Sequence, residues 1–158
     1  MSLTLDLDAL LQKVTDLSAT ITGIRHSRNY DDWPEAPPGL YNREQALHLT
    51  GFPEEEPWVY RRLGIDMNEF EFVIPMYTVV LHPQQVKRNR SWVQPFFDRY
   101  PAKFATSIQL DGLIAAGSAL YTGGRVVRSI PEAPAFDGYY MLRHQLQIHY
   151  KGHVSQEA

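Results

Sequence analysis

YYMLRHQLQIHYK, residues 139–151, alternates along its whole length. Tyr140, Leu142, His144, Leu146, Ile148 and Tyr150 fall on one side, and Met141, Arg143, Gln145, Gln147, His149 and Lys151 on the other. Successive side chains of a strand point to opposite faces. The stretch therefore predicts a half-buried strand, with its apolar row in the core and the row containing Met141 and Arg143 wet or facing a partner.

Working outward, residues 131–138 (PEAPAFDG) predict a loop, and Tyr121 to Ile130 a strand interrupted at Gly123-Gly124 by a bulge or a turn. Leu110 to Leu120 is small and apolar and predicts a short connecting element. Phe70 to Leu81 is apolar on both faces, as a fully buried strand is. Its Pro75 should mark a bulge or a position lacking a ladder bond. Two stretches have helical spacing. Leu7, Leu10, Leu11, Val14, Leu17 and Ile21 make one stripe, predicting a helix over about Leu5 to Leu17 with Thr4 as cap. Trp92, Val93, Phe96, Phe97, Tyr100 and Phe104 make the second, with Pro95 in the first turn and Pro101 ending or kinking it. Residues 30–39 carry three prolines and a glycine, which suits an extended path anchored by Trp33. Residues 40–49 fit a strand or a helical turn, and 51–68 a long loop or hairpin tip. The order of elements predicts an α+β fold, an antiparallel sheet of about four strands flanked by two helices, with a long hairpin or loop in the middle. One domain is expected over 1–152, with an arm over 41–70 and a flexible tail over 153–158.

The 158 residues are 44% hydrophobic and 21% charged, as one soluble globular domain is. The net charge of −3 excludes a domain that grips nucleic acid by overall charge. With no cysteine there is no disulfide, no thiolate nucleophile and no cysteine-ligated zinc. The acidic start, MSLTLDLD, lacks the basic flank and apolar run of a signal peptide, and no stretch is apolar enough to span a bilayer.

Catalytic chemistry finds no pattern. His26, His48, His82, His144, His149 and His153 form no His-Glu-x-x-His and no ligand-spaced pair. His144 is expected hydrogen-bonded on the core face and the other five on the surface. Ser91, Ser107, Ser118 and Ser129 lie in no nucleophile elbow. The paired acids Asp31-Asp32 and Glu54-Glu55-Glu56 sit in proline-rich segments and read as solvated loops. Neither a catalytic residue nor a cofactor or metal ligand is assigned, and the reading is non-enzymatic. What remains is surface character. Phe52, Trp58 and Tyr60 are interleaved with Arg61 and Arg62, an aromatic and arginine-bearing projection of the kind that makes protein contacts. Lys87, Arg88 and Arg90 form a basic entrance to the second helix, and Met141 and Arg143 lie on the outer row of the last strand. These ten residues are the candidate interface.

The order and texture of these elements resemble the tail terminator, or tail completion, proteins of long-tailed bacteriophages, including the minor tail protein U type of lambda-like phages. The resemblance runs through the leading helix Leu7–Leu17, Gly23-Ile24, Asp32-Trp33-Pro34 to Pro37-Pro38, the strand Phe72–Leu81, and the helix Trp92–Phe104. It continues through Leu110-Asp111-Gly112-Leu113 and the final strand Met141–Tyr150 that follows Gly138-Tyr139-Tyr140. It covers most of the chain, and residues 41–70 are longer than in the compact members. It implies a structural virion protein of the phage tail or neck, assembled in the host cytoplasm. Such proteins form a homo-oligomeric ring, usually a hexamer, on the head-proximal end of the tail tube. They meet the tail tube protein on one side and a head–tail connector or neck protein on the other, without a membrane. DNA slides through the lumen without specific binding, and Glu54, Glu55 and Glu56 are expected to face it, since like charge disfavours phosphate binding. A tail-tube or connector subunit is the alternative, and a small ligand-binding protein or enzyme a third reading.

Overall fold

A computed structural model describes residues 6–35, 46–53, 59–62, 67–81, 90–114 and 117–153. The chain runs α1 (Leu7–Ala19), β1 (Ile24–Arg28), β2 (Ala46–Thr50), β3 (Val59–Arg62), β4 (Met67–Leu81), α2 (Arg90–Ala105), β5 (Gly117–Val127) and β6 (Tyr140–His153). The six strands form one sheet in the order β1-β2-β4-β6-β5, with β3 also paired to β4. The fold is α+β as expected, with two more strands than expected. All pairings are antiparallel except β1 with β2, which is parallel.

β4 and β6 are the axis of the sheet, paired from Met67 opposite His153 to Leu81 opposite Tyr140. β6 occupies one edge of β4 throughout, so β2 and β3 share the other edge end to end, β2 opposite residues 76–79 and β3 opposite residues 68–70. Most of the described residues of the segment 41–70 are thus strand: they supply β2, β3 and the start of β4. The β3–β4 hairpin realises the hairpin alternative there.

Pro75 does not bulge the strand. The register with β6 runs unbroken through Pro75 opposite Gln145. In an antiparallel strand a residue's N and C=O point to the same side. The Pro75 carbonyl accepts from the Gly51 N–H at 2.8 Å, so its missing N–H faces the end of β2, where the ladder stops in any case. A Cβ at Gly51 would lie 2.8 Å from Pro75 Cγ, so only glycine brings β2 this close to the proline ring. The irregularities lie elsewhere, between Ile24 and His26 in β1, Val59 and Arg61 in β3, Val79 and Leu81 in β4, and Tyr121 and Gly123 in β5. The last is the bulge that Gly123-Gly124 suggested, with Gly123 at φ 154°. β5 itself begins at Gly117, inside the stretch expected to be a mere connector. Before it, Leu110, Asp111 and Gly112 all have positive φ (49°, 56° and 89°) and turn the chain from α2 into the sheet.

α1 begins two residues later than its stripe predicts. Asp6, not Thr4, is its cap, accepting from Ala9 N–H at 3.1 Å. α2 runs through both of its prolines to Ala105, and Pro95, its sixth residue, lies beyond the first turn. Each interior proline costs about 3 kcal/mol. Phe96, Tyr100 and Phe104, spaced four apart, are all fully buried, and at roughly 2–3 kcal/mol each they offset that cost.

Both helices pack on one face of the sheet, where Leu10, Leu11 and Val14 meet Ile74, Met76, Leu142 and Leu146 beneath Phe96 and Tyr100. On the opposite face the loop after β5 folds back over one end. Ile130 and Phe136 there cover Leu47, Leu49, Tyr77, Val79 and Met141. Met141 is consequently 0% exposed and belongs to a second core, not to an outer contact row. The alternation assigned its face correctly but could not show that this face is itself covered. Among the described residues no helix is long and apolar enough to cross a membrane.

Candidate functional site

The uncovered part of that second face is a groove of about 530 Å³. One wall is aromatic: Tyr30, Trp33 and Phe52. Trp33 is pinned by its Nε1–H, which donates to the Thr50 carbonyl at 3.0 Å, so it anchors the 30–35 segment as expected. Its ring meets Tyr77 edge-on at 6.1 Å and Tyr30 at 5.7 Å, and Tyr30 meets Phe52 at 5.4 Å. The floor is Pro75, Tyr77 and Arg143, and the far wall carries Arg125, Arg128 and Glu132.

Arg125 and Arg143 stand directly opposite each other on β5 and β6. Side chains so paired have Cβ atoms about 5 Å apart, and like charges there oppose the pairing. Arg143 is only 6% exposed, and burial pulls its pKa below the ordinary guanidinium value. A guanidinium still keeps its charge at neutral pH. The Tyr77 hydroxyl is pushed up by burial first, then by Glu132, and Arg125 opposes that shift. Arg128 spends part of its donor set on the Gly138 carbonyl, at 2.6 Å from Nη2. Arg125, Arg128 and Arg143 all line the groove.

The helix-covered face carries a different polar feature, a chain of hydrogen bonds through the core. Tyr121 OH lies 2.6 Å from His144 Nδ1, and His144 Nε2 lies 2.9 Å from Thr78 Oγ1. Thr78 bonds the Tyr100 hydroxyl, which lies 2.6 Å from His48 Nδ1. His48 Nε2 lies 2.8 Å from Thr50 Oγ1, Thr50 bonds Thr15 at 2.8 Å, and Thr15 donates to the Leu11 carbonyl at 2.9 Å. Each hydroxyl has one proton. Because Thr15 donates to Leu11, Thr50 donates to Thr15. Then His48 donates from Nε2, Tyr100 donates to His48, Thr78 to Tyr100, His144 from Nε2 to Thr78, and Tyr121 to His144. One directed chain thus joins β5, β6, β4, α2, β2 and α1. The Tyr100 ring also stacks on His144 at 3.9 Å. Gly124 makes room for it: a Cβ there would lie 2.4 Å from the Tyr121 hydroxyl.

Burial lowers the pKa of His48 to about 3. Burial, and secondarily the charge of His48, lowers His144 to about 3. Both rings are neutral in the fold, and nitrogen NMR at pH 7 is expected to show the proton on Nε2 and the acceptor pattern on Nδ1 in both. The opposite tautomer in either ring would break the directed chain.

His144 is where the alternation put it, but His48 is not a surface residue. It is fully buried, because β2 is covered on both faces. Of the candidate contact residues, Phe52 and Arg143 both line the groove. Tyr60, Arg61 and Arg62 lie on β3, and Arg90 opens α2. Glu54, Glu55, Glu56, Trp58, Lys87 and Arg88 fall outside the described residues. Sequence reasoning missed Tyr77, Arg125 and Glu132. Arg125 was within reach, since a bulge at Gly123-Gly124 shifts the face of everything after it by one position. Among the described residues, no group of three or more His, Asp or Glu side chains could hold a metal ion. No protein-family model matches the chain, and no curated protein matches it.

Proposed function

We propose that this chain is a structural assembly protein of the tail-terminator kind, a subunit that closes with copies of itself into a ring at the head-proximal end of a phage tail tube. The ring ends tube growth and offers a surface for head–tail joining. The observation that carries the reading is the two-faced sheet with a long outer strand. Both helices lie on one face, and β5, eleven residues long, is paired on one side only among the described residues. Such an edge joins a neighbouring chain through main-chain bonds. When the rotation between neighbours closes, the product is a finite ring, and when it does not, a filament. A tail-tube or connector subunit is the second reading, and a filament would favour the tube subunit.

Electron microscopy of the purified protein separates these outcomes. Closed rings with a central hole support the terminator reading, and open filaments support the tube reading. Particles of single-chain size at every concentration would remove both.

A further inference from the structure

We propose that residues 129–137 form a hinged flap that gates the groove, held shut by a latch at Arg128. When the latch opens, the flap lifts as a unit and joins the groove to an apolar trough beneath it. The inference goes beyond the ring reading and does not rest on it.

The loop is built as a separate piece. Its turns close on themselves: the Ala133 N–H donates to the Ile130 carbonyl at 2.9 Å, Phe136 to Ala133 at 3.0 Å and Asp137 to Pro134 at 3.1 Å. Its two ends are clasped together. The Gly138 N–H donates to the Arg128 carbonyl at 2.8 Å, and Arg128 Nη2 donates back to the Gly138 carbonyl at 2.6 Å. The same guanidinium lies 5.8 Å from the centre of the Tyr140 ring. Gly138, at φ 87°, is the residue type that changes its dihedral angles most freely, which suits a hinge. Within 129–137 only Ile130 and Phe136 are buried, and they plug the seat formed by Leu47, Leu49, Val79 and Met141. Trp33, Tyr77 and Val127 border both this plugged core and the groove, and Pro131 and Glu132 of the flap line the groove. Lifting the flap therefore removes one wall and extends the groove over the seat. Two apolar side chains and the latch are lost, while the β-ladders beneath keep their bonds. An opening that small lies well below global unfolding in free energy.

The two cores carry an internal control. Met141 lies under the flap and Met76 under the helices, and both are 0% exposed. The test is hydrogen peroxide oxidation of the full chain at urea concentrations below the unfolding transition, each methionine being read by peptide mass spectrometry. Sulfoxide forms only when the sulfur is reached by the oxidant. Met141 should oxidise about tenfold or more faster than Met76. Its rate should be nearly independent of urea, because flap opening exposes little surface, whereas the Met76 rate should climb with the global transition. Arg128→Ala, at an exposed position, removes the guanidinium bonds to Gly138 and should speed Met141 oxidation about tenfold. Val14→Ala, in the core under the helices, should speed Met76 and leave Met141 unchanged. Met141 protected as well as Met76 at every urea concentration, or accelerated alongside it by Val14→Ala, would mean that the loop opens only with the whole fold and would overturn the proposal. A Met141 rate indifferent to Arg128→Ala would overturn the latch.

Discussion

Lowering the pH from 7.5 to 5 should cost this protein about 4 kcal/mol of stability and lower its melting temperature by roughly 10 °C. The source is the pair of buried imidazoles. His48 and His144 have folded pKa values of about 3 against 6.5 for the free side chain. A histidine whose folded pKa is depressed binds its proton more readily in the unfolded chain. Its contribution is complete above pH 6.5 and is lost progressively as the pH falls from 6.5 toward 3. At pH 5 each ring accounts for about 2 kcal/mol, and at the lower limit for about 5 kcal/mol. Domains of this size have only about 5–15 kcal/mol in total, so the native state should fail before pH 3 is reached. The structural cause is the directed chain. Protonating His48 or His144 on Nδ1 replaces an acceptor with a donor facing a tyrosine hydroxyl that already donates, and it places a charge where Tyr100 stacks on His144. Urea midpoints measured between pH 8 and 4.5 check this. A variant with His48→Gln and His144→Gln should be less stable at pH 8 but should lose most of the slope between pH 6.5 and 5. An equally steep slope in that variant would place the acid sensitivity elsewhere.

Gly117→Ala should destabilise by about 3 kcal/mol or more, several times the effect of Gly112→Ala. The two glycines are needed for different reasons. Gly112 has φ +89° with open space around its Cα hydrogens, so alanine there meets only backbone strain, about 1 kcal/mol. Gly117 begins β5 opposite Tyr150, and a Cβ built on it lies 2.0 Å from the His149 carbonyl oxygen and 2.9 Å from Tyr150 Cα. β6 cannot retreat, because its other edge is bonded to β4 along its whole length. The start of β5 must peel away instead, breaking the approach of Ala119 to the core and weakening the seat of Tyr121, the first donor of the buried chain. Thermal denaturation of the two variants side by side gives the comparison. Equal losses would mean that β5 does not approach β6 as closely at Gly117 as described.

Strand and helix periodicity made much of this architecture readable before any coordinates. The apolar row of β6, the buried β4 and the two helical stripes are each carried by side chains at a regular spacing, and the structure keeps all four. What could not be read were features decided by partners distant in sequence. Met141 sits on the face its alternation indicates, yet Ile130 and Phe136 cover that face, and nothing in residues 139–151 announces it. Pro75 looked disruptive because one strand cannot reveal where its neighbour ends. His48 was expected on the surface, yet it lies on β2, whose two faces are both covered. The groove was partly legible: Phe52 and Arg143 stood out as contact residues, but the match of Arg143 with Arg125 depends on a one-residue bulge.

The most direct test of the account is the mass of the native assembly across a hundredfold range of protein concentration, measured by native mass spectrometry. A protein that works by joining copies of itself should give one discrete closed multimer whose mass stops rising, about 109 kDa if six 18.2 kDa chains close the ring. A species of 18.2 kDa at every concentration would contradict it.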